Sequence, residues 1–184
     1  VAKLEKMARK LGVYFWGALF QQRPKPREGG MFKREYFEIV PAIPAGCRFV
    51  RYWDKAGTKG GGDYTAGVLM AEKNGRFYIV DYVTGQWEAP DREKVIKQTA
   101  VNDKMLYGNV HTRHEQEPGS GGKDSALHTA RVTLLGFPSS ADKVTGDKVT
   151  RAEPLASQCS VNNVKFIKAD WNRSLIDMFC RFTA

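Results

Sequence analysis

From Arg48 to Trp53 (RFVRYW) long basic or aromatic residues alternate with apolar ones, the period-two pattern of a half-buried strand. Further strands are predicted over about Thr65–Glu72 and Arg76–Val83, joined at Lys73-Asn74-Gly75, where Asn-Gly suits a tight hairpin turn. The period then lengthens. Pro90 to about Lys104 reads as a helix with Val95, Ile96 and Thr99 on its apolar side and Asp91 and Glu93 near its start. A strand follows over Asn109–Glu115, then a glycine-rich turn (Pro118–Gly122), a helix near Ser125–Leu135 and a short strand around Gly136–Ser139. The charged loop ADKVTGDKVTRAEP precedes a helix from about Arg151 to Cys159, and Val164–Ile167 and Trp171–Phe182 form a last strand and a last helix.

Upstream, Val1, Leu4, Met7, Ala8 and Leu11 recur at helical spacing as far as Gly12, and the aromatic run that follows (Phe15, Trp16, Phe20) needs another surface to pack on. Pro24 and Pro26 exclude a helix, and Gly29-Gly30 marks a turn. The expected division is 1–20 as the tail of a preceding domain, 21–46 as an interdomain linker with an ordered piece at Met31–Phe37, and 47–184 as the folded domain. Three hairpin-joined strands followed by helix, strand, helix, strand and helix make an α/β mixed sheet, its first three strands antiparallel and helices on its faces. That order is the RNase H-like arrangement, in which the first and fourth of these strands are neighbours.

The candidate chemistry sits at strand ends. Asp54 follows Trp53 directly and precedes a glycine-rich turn (Gly57, Gly60, Gly61, Gly62). A carboxylate there has a fixed backbone and a side chain that reaches solvent, as a metal-binding acid requires; Asp also opens ordinary turns. Glu115 ends the Asn109–Glu115 strand. Two carboxylates on neighbouring strand ends can hold one or two divalent ions about 4 Å apart, and oxygen ligands suit Mg2+ or Mn2+ rather than zinc. Glu117 shares the parity of Glu115 and could replace it; Asp81, midway along the third strand, is an auxiliary acid if its parity turns it toward the site and otherwise an exposed strand residue. Asp63 reads as turn chemistry, Asp170 as a cap of the last helix, Asp177 as a solvated helix residue, and His111, His114 and His128 as ordinary polar residues.

GSGGK (119–123) is not a phosphate loop, because Glu117 stands where the first glycine is needed and Asp124 follows the lysine. It reads as a glycine turn opening a helix whose free amides, with Lys123, can meet a backbone phosphate. Lys143, Lys148 and Arg151 form a basic loop open to two readings, phosphate contact or a solvated loop partly neutralised by Asp142 and Asp147.

Composition adds a partner class. The 184 residues carry a net charge of +9 with pI about 9.5, which fits a polyanionic partner. Three scattered cysteines with no C-x-x-C spacing argue against a disulfide framework or a zinc site. No apolar run is long enough to span a bilayer.

Four stretches together resemble the C-terminal nuclease domain of the terminase large subunit of tailed phages and prophages: FWGALFQQRPKPREGGMFKREYF, RYWDKAGTKGGGDYTAG, HEQEPGSGGKD and TGDKVTRAEPLASQCSVNNVKFI. The resemblance implies a metal-dependent endonuclease that cuts concatemeric double-stranded DNA, with Asp54 and Glu115 as the first and second metal-binding acids. It also implies an ATPase domain, a small terminase subunit and a portal as partners, in the cytoplasm of a bacterial host, with no membrane. The family's third acid lies in a His-Asp-Asp-like segment after the last helix, beyond Ala184, so the chain is expected to be C-terminally truncated, to hold one ion better than two, and to prefer Mn2+. The competing expectation is a catalytically impaired prophage remnant that only binds DNA or the packaging machine. A junction resolvase or transposase of the same fold is disfavoured by the QQRP and EQEPGSGGK stretches.

Overall fold

The computed structural model describes residues 30–56 and 62–182. The expected N-terminal helix, Phe15, Trp16, Phe20 and glycines 57, 60 and 61 lie outside the described residues. In chain order the elements are β1 (Glu38–Val40), β2 (Arg48–Asp54), β3 (Thr65–Lys73), β4 (Arg76–Gly85), α1 (Ala89–Tyr107), β5 (Val110–Gln116), α2 (Ser120–His128), β6 (Ser139–Lys143), α3 (Lys148–Ser160), β7 (Val164–Ile167) and α4 (Asn172–Arg181). The architecture is the RNase H-like mixed sheet with flanking helices. The hydrogen-bonded order is β1-β7-β4-β3-β2-β5-β6. The chain divides into two compact units.

The unit Ile43–Gly75 with Ile79–Thr145 is built around β2. β2 pairs antiparallel with β3, from Arg48 opposite Glu72 to Asp54 opposite Ala66. It pairs parallel with β5, from Phe49 opposite Val110 to Trp53 opposite His114. β5 in turn runs parallel to β6. Along β3 every second residue from Thr65 to Ala71 is buried, the period of a strand with one face on the core. Trp53, Ile96, Ala100 and Leu134 form the core between sheet and helix, with Val83, Val95 and Phe137 against it. Gly67 lies over the Trp53 ring, which a Cβ there would meet at 2.6 Å.

One face is not what its residue types suggest. On β2 the buried positions are Arg51, 1% exposed, and Trp53, while Val50 is 37% exposed. Arg51 donates from Nε and Nη2 to the two carboxylate oxygens of Asp103 on α1 (2.9 and 2.7 Å), from Nη2 to Asp81 on β4 (2.7 Å), and from Nη1 to the Gly67 carbonyl (3.2 Å). Burial by itself would lower the Arg51 pKa, but the two carboxylates outweigh it and hold it above the ordinary value.

The unit containing the segment up to Ala42, Arg76–Tyr78 and the segment from Gly146 packs around aromatic rings. Phe32 and Phe179 lie 4.9 Å apart between centroids, Phe37 and Phe166 5.1 Å. β1 pairs parallel with β7, Glu38 opposite Lys165 to Val40 opposite Ile167. Part of the segment expected to be a linker is therefore sheet and core: Met31 and Phe32 are buried and Glu38–Val40 is a strand. A three-residue strand is too short for its period to show.

Other boundaries move for local reasons. α2 starts at Ser120, because Gly119 adopts φ +90° and turns the chain into the helix. It continues into a π turn, Thr129–Thr133, closed by Leu134 N–H to Thr129 O at 2.9 Å. The short strand lies at Ser139–Lys143 rather than 136–139. α3 starts at Lys148, which shortens the charged loop, because the Asp147 carboxylate accepts the Thr150 N–H at 2.8 Å. Asp170 is not the cap of α4; the Asn172 side chain accepts the Ala169 N–H at 2.7 Å there. Asp177 is ion-paired with Arg34, whose hydrogen bond holds its carboxyl below the usual range.

Cys159 is buried, and burial pushes its thiol up to about 12. Because the thiolate is the reactive form, brief alkylation of the native protein at pH 8 should modify Cys180 and leave Cys159 intact. Peptide mapping checks this; equal labelling of the two would contradict the packing around α3. No helix among the described residues is long and apolar enough to cross a membrane.

Candidate functional site

The site lies within the unit built on β2. Because Trp53 sits opposite His114 on parallel strands, the next residues, Asp54 and Glu115, stand side by side at the same ends of β2 and β5. Both line one cavity of about 260 Å³, which Glu117 also lines. Asp54 and Glu117 are exposed and Glu115 half-buried, so the acids face an opening and not the core.

The backbone around the acids is tied down. The Ala56 N–H donates to the buried Thr65 hydroxyl at 2.9 Å, and the Ala56 carbonyl accepts from Arg92 Nη1 at 2.8 Å. Across the cavity, Gly122 packs onto the Glu117 carbonyl so closely that a Cβ would come within 2.2 Å of the oxygen. Of the GSGGK glycines, Gly122 therefore serves the close approach of α2 to the end of β5.

Two cations share the cavity with the acids. Lys55 Nζ donates to the Ser125 hydroxyl at 3.0 Å and to the Thr129 hydroxyl at 2.9 Å. Burial lowers the Lys55 pKa, and Glu93 and Glu117 counteract it in part. Thr129 and Thr133 donate to the Glu93 carboxylate at 3.0 and 2.6 Å. Arg92 Nη2 reaches Glu93 at 3.4 Å. Lys55, Arg92 and Glu93 thus join the end of β2 to the start of α1 and to α2. Sequence reasoning passed over all three in this role. Arg92 carried a usable signal, since a cation in the first turn of a helix opposes the helix dipole.

Asp81 is held by Arg51 and does not line the cavity. Lys123 is exposed on α2, and Lys143 is exposed at the end of β6. Lys148 and Arg151 lie exposed in the first turn of α3, in the other unit. His114 is fully buried on the opposite side of β5 from Glu115, both its ring nitrogens without a hydrogen-bond partner among the described residues. Burial, then Lys55, lowers its pKa.

Among the described residues there is no group of three or more His, Cys, Asp or Glu side chains arranged to hold a metal ion. The acids that do line the cavity offer only carboxylate oxygens, a donor set that fits a hard divalent cation and not zinc.

The sequence profile of the Terminase RNaseH-like domain matches residues 51–184. No curated protein matches the chain. Among solved structures, the fold is similar to the large terminase of a thermophilic bacteriophage in complex with ADP: 13% identity, TM-score 0.65, covering 96% of this chain and 42% of that one. It is similar to the nuclease domain of the P22 large terminase, with 15% identity, TM-score 0.57 and coverage of 83% and 78%. A third similar structure is the large terminase nuclease domain of bacteriophage SPP1 with bound Mn, at 12% identity, TM-score 0.53 and coverage of 80% and 78%. The chain spans about two fifths of the length of the large terminase from the thermophilic phage.

Proposed function

This chain belongs to the terminase RNaseH-like domain family, and we propose that it is the metal-dependent endonuclease domain of a phage DNA-packaging terminase, cutting concatemeric double-stranded DNA by two-metal phosphodiester hydrolysis. The observation that carries this reading is the meeting of Asp54 and Glu115 at adjacent ends of parallel strands, in one open cavity. Asp54 and Glu115 would hold Mg2+ or Mn2+, with Glu117 near enough to assist; Mn is bound in the SPP1 nuclease domain. Bound metal would supply a polarised phosphate and an attacking water of lowered pKa. The rest of the work belongs to the chain. The ties on Ala56 fix Asp54, and the packing of Gly122 on Glu117 fixes the other wall. Lys123, Lys143, Lys148 and Arg151 would contact the duplex backbone without reading sequence. On this reading the partners would be an ATPase domain, a small terminase subunit and a portal.

The direct test is cleavage of supercoiled plasmid in Mn2+ or Mg2+, with EDTA as control. Metal-dependent nicking or linearisation is expected, and no cutting in either metal would refute the reading. A second test addresses the duplex surface. Lys148→Ala with Arg151→Ala should weaken duplex binding irrespective of sequence and flatten the slope of log affinity against log salt by about 2. An unchanged slope in a salt titration would remove α3 from the interface.

A further inference from the structure

Arg92 is 7% exposed, yet its guanidinium is not fully used. Nη1 donates to the Ala56 carbonyl at 2.8 Å and Nη2 meets Glu93 only at 3.4 Å, while Nε has no partner among the described residues. A buried donor without an acceptor is costly, and Arg92 is one of the residues that line the cavity holding the acids. Its position adds a second cost, because a cation in the first turn of α1 works against the helix dipole. An anion in the cavity would relieve both.

The start of α2, which lines the same cavity, suits the same ligand. Gly119 caps α2 without a side-chain hydrogen bond, and the first amide of the helix to find an intrahelical acceptor is that of Lys123, to the Gly119 carbonyl at 3.2 Å. The amides of Ser120, Gly121 and Gly122 precede it and have no intrahelical acceptor. Gly121 and Gly122 line the cavity, and a Cβ on Gly121 would meet nothing within 4 Å, so the backbone is open there. Free amides at a helix start are anion donors. The acids that line the same cavity would repel a small free anion. A phosphate that belongs to a duplex is held near the site by contacts elsewhere and tolerates that repulsion.

We propose that Arg92 and the first-turn amides of α2 form a subsite for one backbone phosphate of the nucleic acid, beside the carboxylates of Asp54 and Glu115. The proposal rests on the nuclease reading and names the groups that seat the strand in that site. Arg92 then binds substrate directly, and its tie to Ala56 is a second, structural role.

Two variants separate these roles. Arg92→Gln keeps a donor for the Ala56 carbonyl and removes the charge. Gly121→Asp adds a carboxylate where the fold has room, in the first helical turn, where an acid favours the helix. Duplex affinity is measured by fluorescence anisotropy in EDTA, where nothing is cut, over a range of salt, with melting temperature alongside. Arg92→Gln should bind about tenfold more weakly and with a salt slope lower by about 0.9, and Arg92→Lys should recover the slope. Gly121→Asp should bind more weakly while melting no lower than wild type. Wild-type affinity and slope in a folded Arg92→Gln, or wild-type affinity in Gly121→Asp, would overturn the subsite; if Arg92→Gln does not fold, Gly121→Asp decides alone. A wild-type protein that binds duplex but leaves plasmid uncut in Mn2+ and Mg2+ would overturn the nuclease reading and leave the subsite to be judged by the slopes. A wild-type protein that binds no duplex would overturn both.

Discussion

Asp54→Ala is expected to lower plasmid cleavage by on the order of a thousandfold. A metal-held phosphoryl group gains several kcal/mol of transition-state charge stabilisation, and each 1.36 kcal/mol or so is a factor of about ten in rate. Asp54 is the acid most directly placed to lose it, at the end of β2 beside Glu115 and facing the cavity. The loss should be chemical and not structural. Asp54 is exposed, and the backbone after it is held by Thr65 and Arg92 through Ala56, bonds that do not use the Asp54 carboxylate. Its removal should therefore change stability by no more than about 0.5 kcal/mol. The acids should rank. Glu115→Gln should be as damaging as Asp54→Ala and Glu117→Gln less so. Asp81→Asn should leave cutting near wild type, because Asp81 is occupied by Arg51 and does not line the cavity. Steady nicking rates for the four variants in Mn2+ settle the order. Wild-type cutting by Asp54→Ala would place the chemistry at other residues.

The second large effect is on stability. Asp103→Ala is expected to destabilise the protein by about 3–5 kcal/mol, because it strands a buried charge. Arg51 is almost fully enclosed, and two of its hydrogen bonds end on Asp103. What would remain are Asp81, 38% exposed at its side chain, and one carbonyl. Total stabilities run to about 5–15 kcal/mol, so the urea midpoint should fall steeply. Asp81→Ala should cost far less, about 0–1 kcal/mol, because solvent screens that pair. The double variant Arg51→Met/Asp103→Leu should recover most of the loss, since apolar residues of similar size can replace a buried ion pair. An Asp103→Ala midpoint within error of wild type would mean that Arg51 finds solvent or another acceptor. The pair also bears on the site: Arg51 lies three residues before Asp54 on β2 and fastens that strand to α1, which carries Arg92.

Much of this was legible in the residues. The two-residue period located β2, the Asn-Gly turn placed β3 and β4 on either side of it, and the longer period located α1, because such patterns are local to the chain. β7 was legible from end to end. The two strand-end acids stood out because a carboxylate next to a glycine-rich turn is a local feature of the chain. The resemblance to terminase nuclease domains rested on whole stretches in order and agrees with the family match.

Tertiary structure alone decided the rest. Arg51 reads as a solvent-facing residue, and only the arrival of Asp103 from a helix far along the chain lets it be buried in place of Val50. β1 has three residues and no period, and exists because β7 offers it an edge. Lys55 and Arg92 look like ordinary surface cations until α1 and α2 close over the end of β2 and gather them into the cavity with the acids. Side-chain period is set by each residue's own backbone, so sequence determines it locally. Burial of a charge depends on which partner the fold brings within hydrogen-bond reach, and no local pattern encodes that.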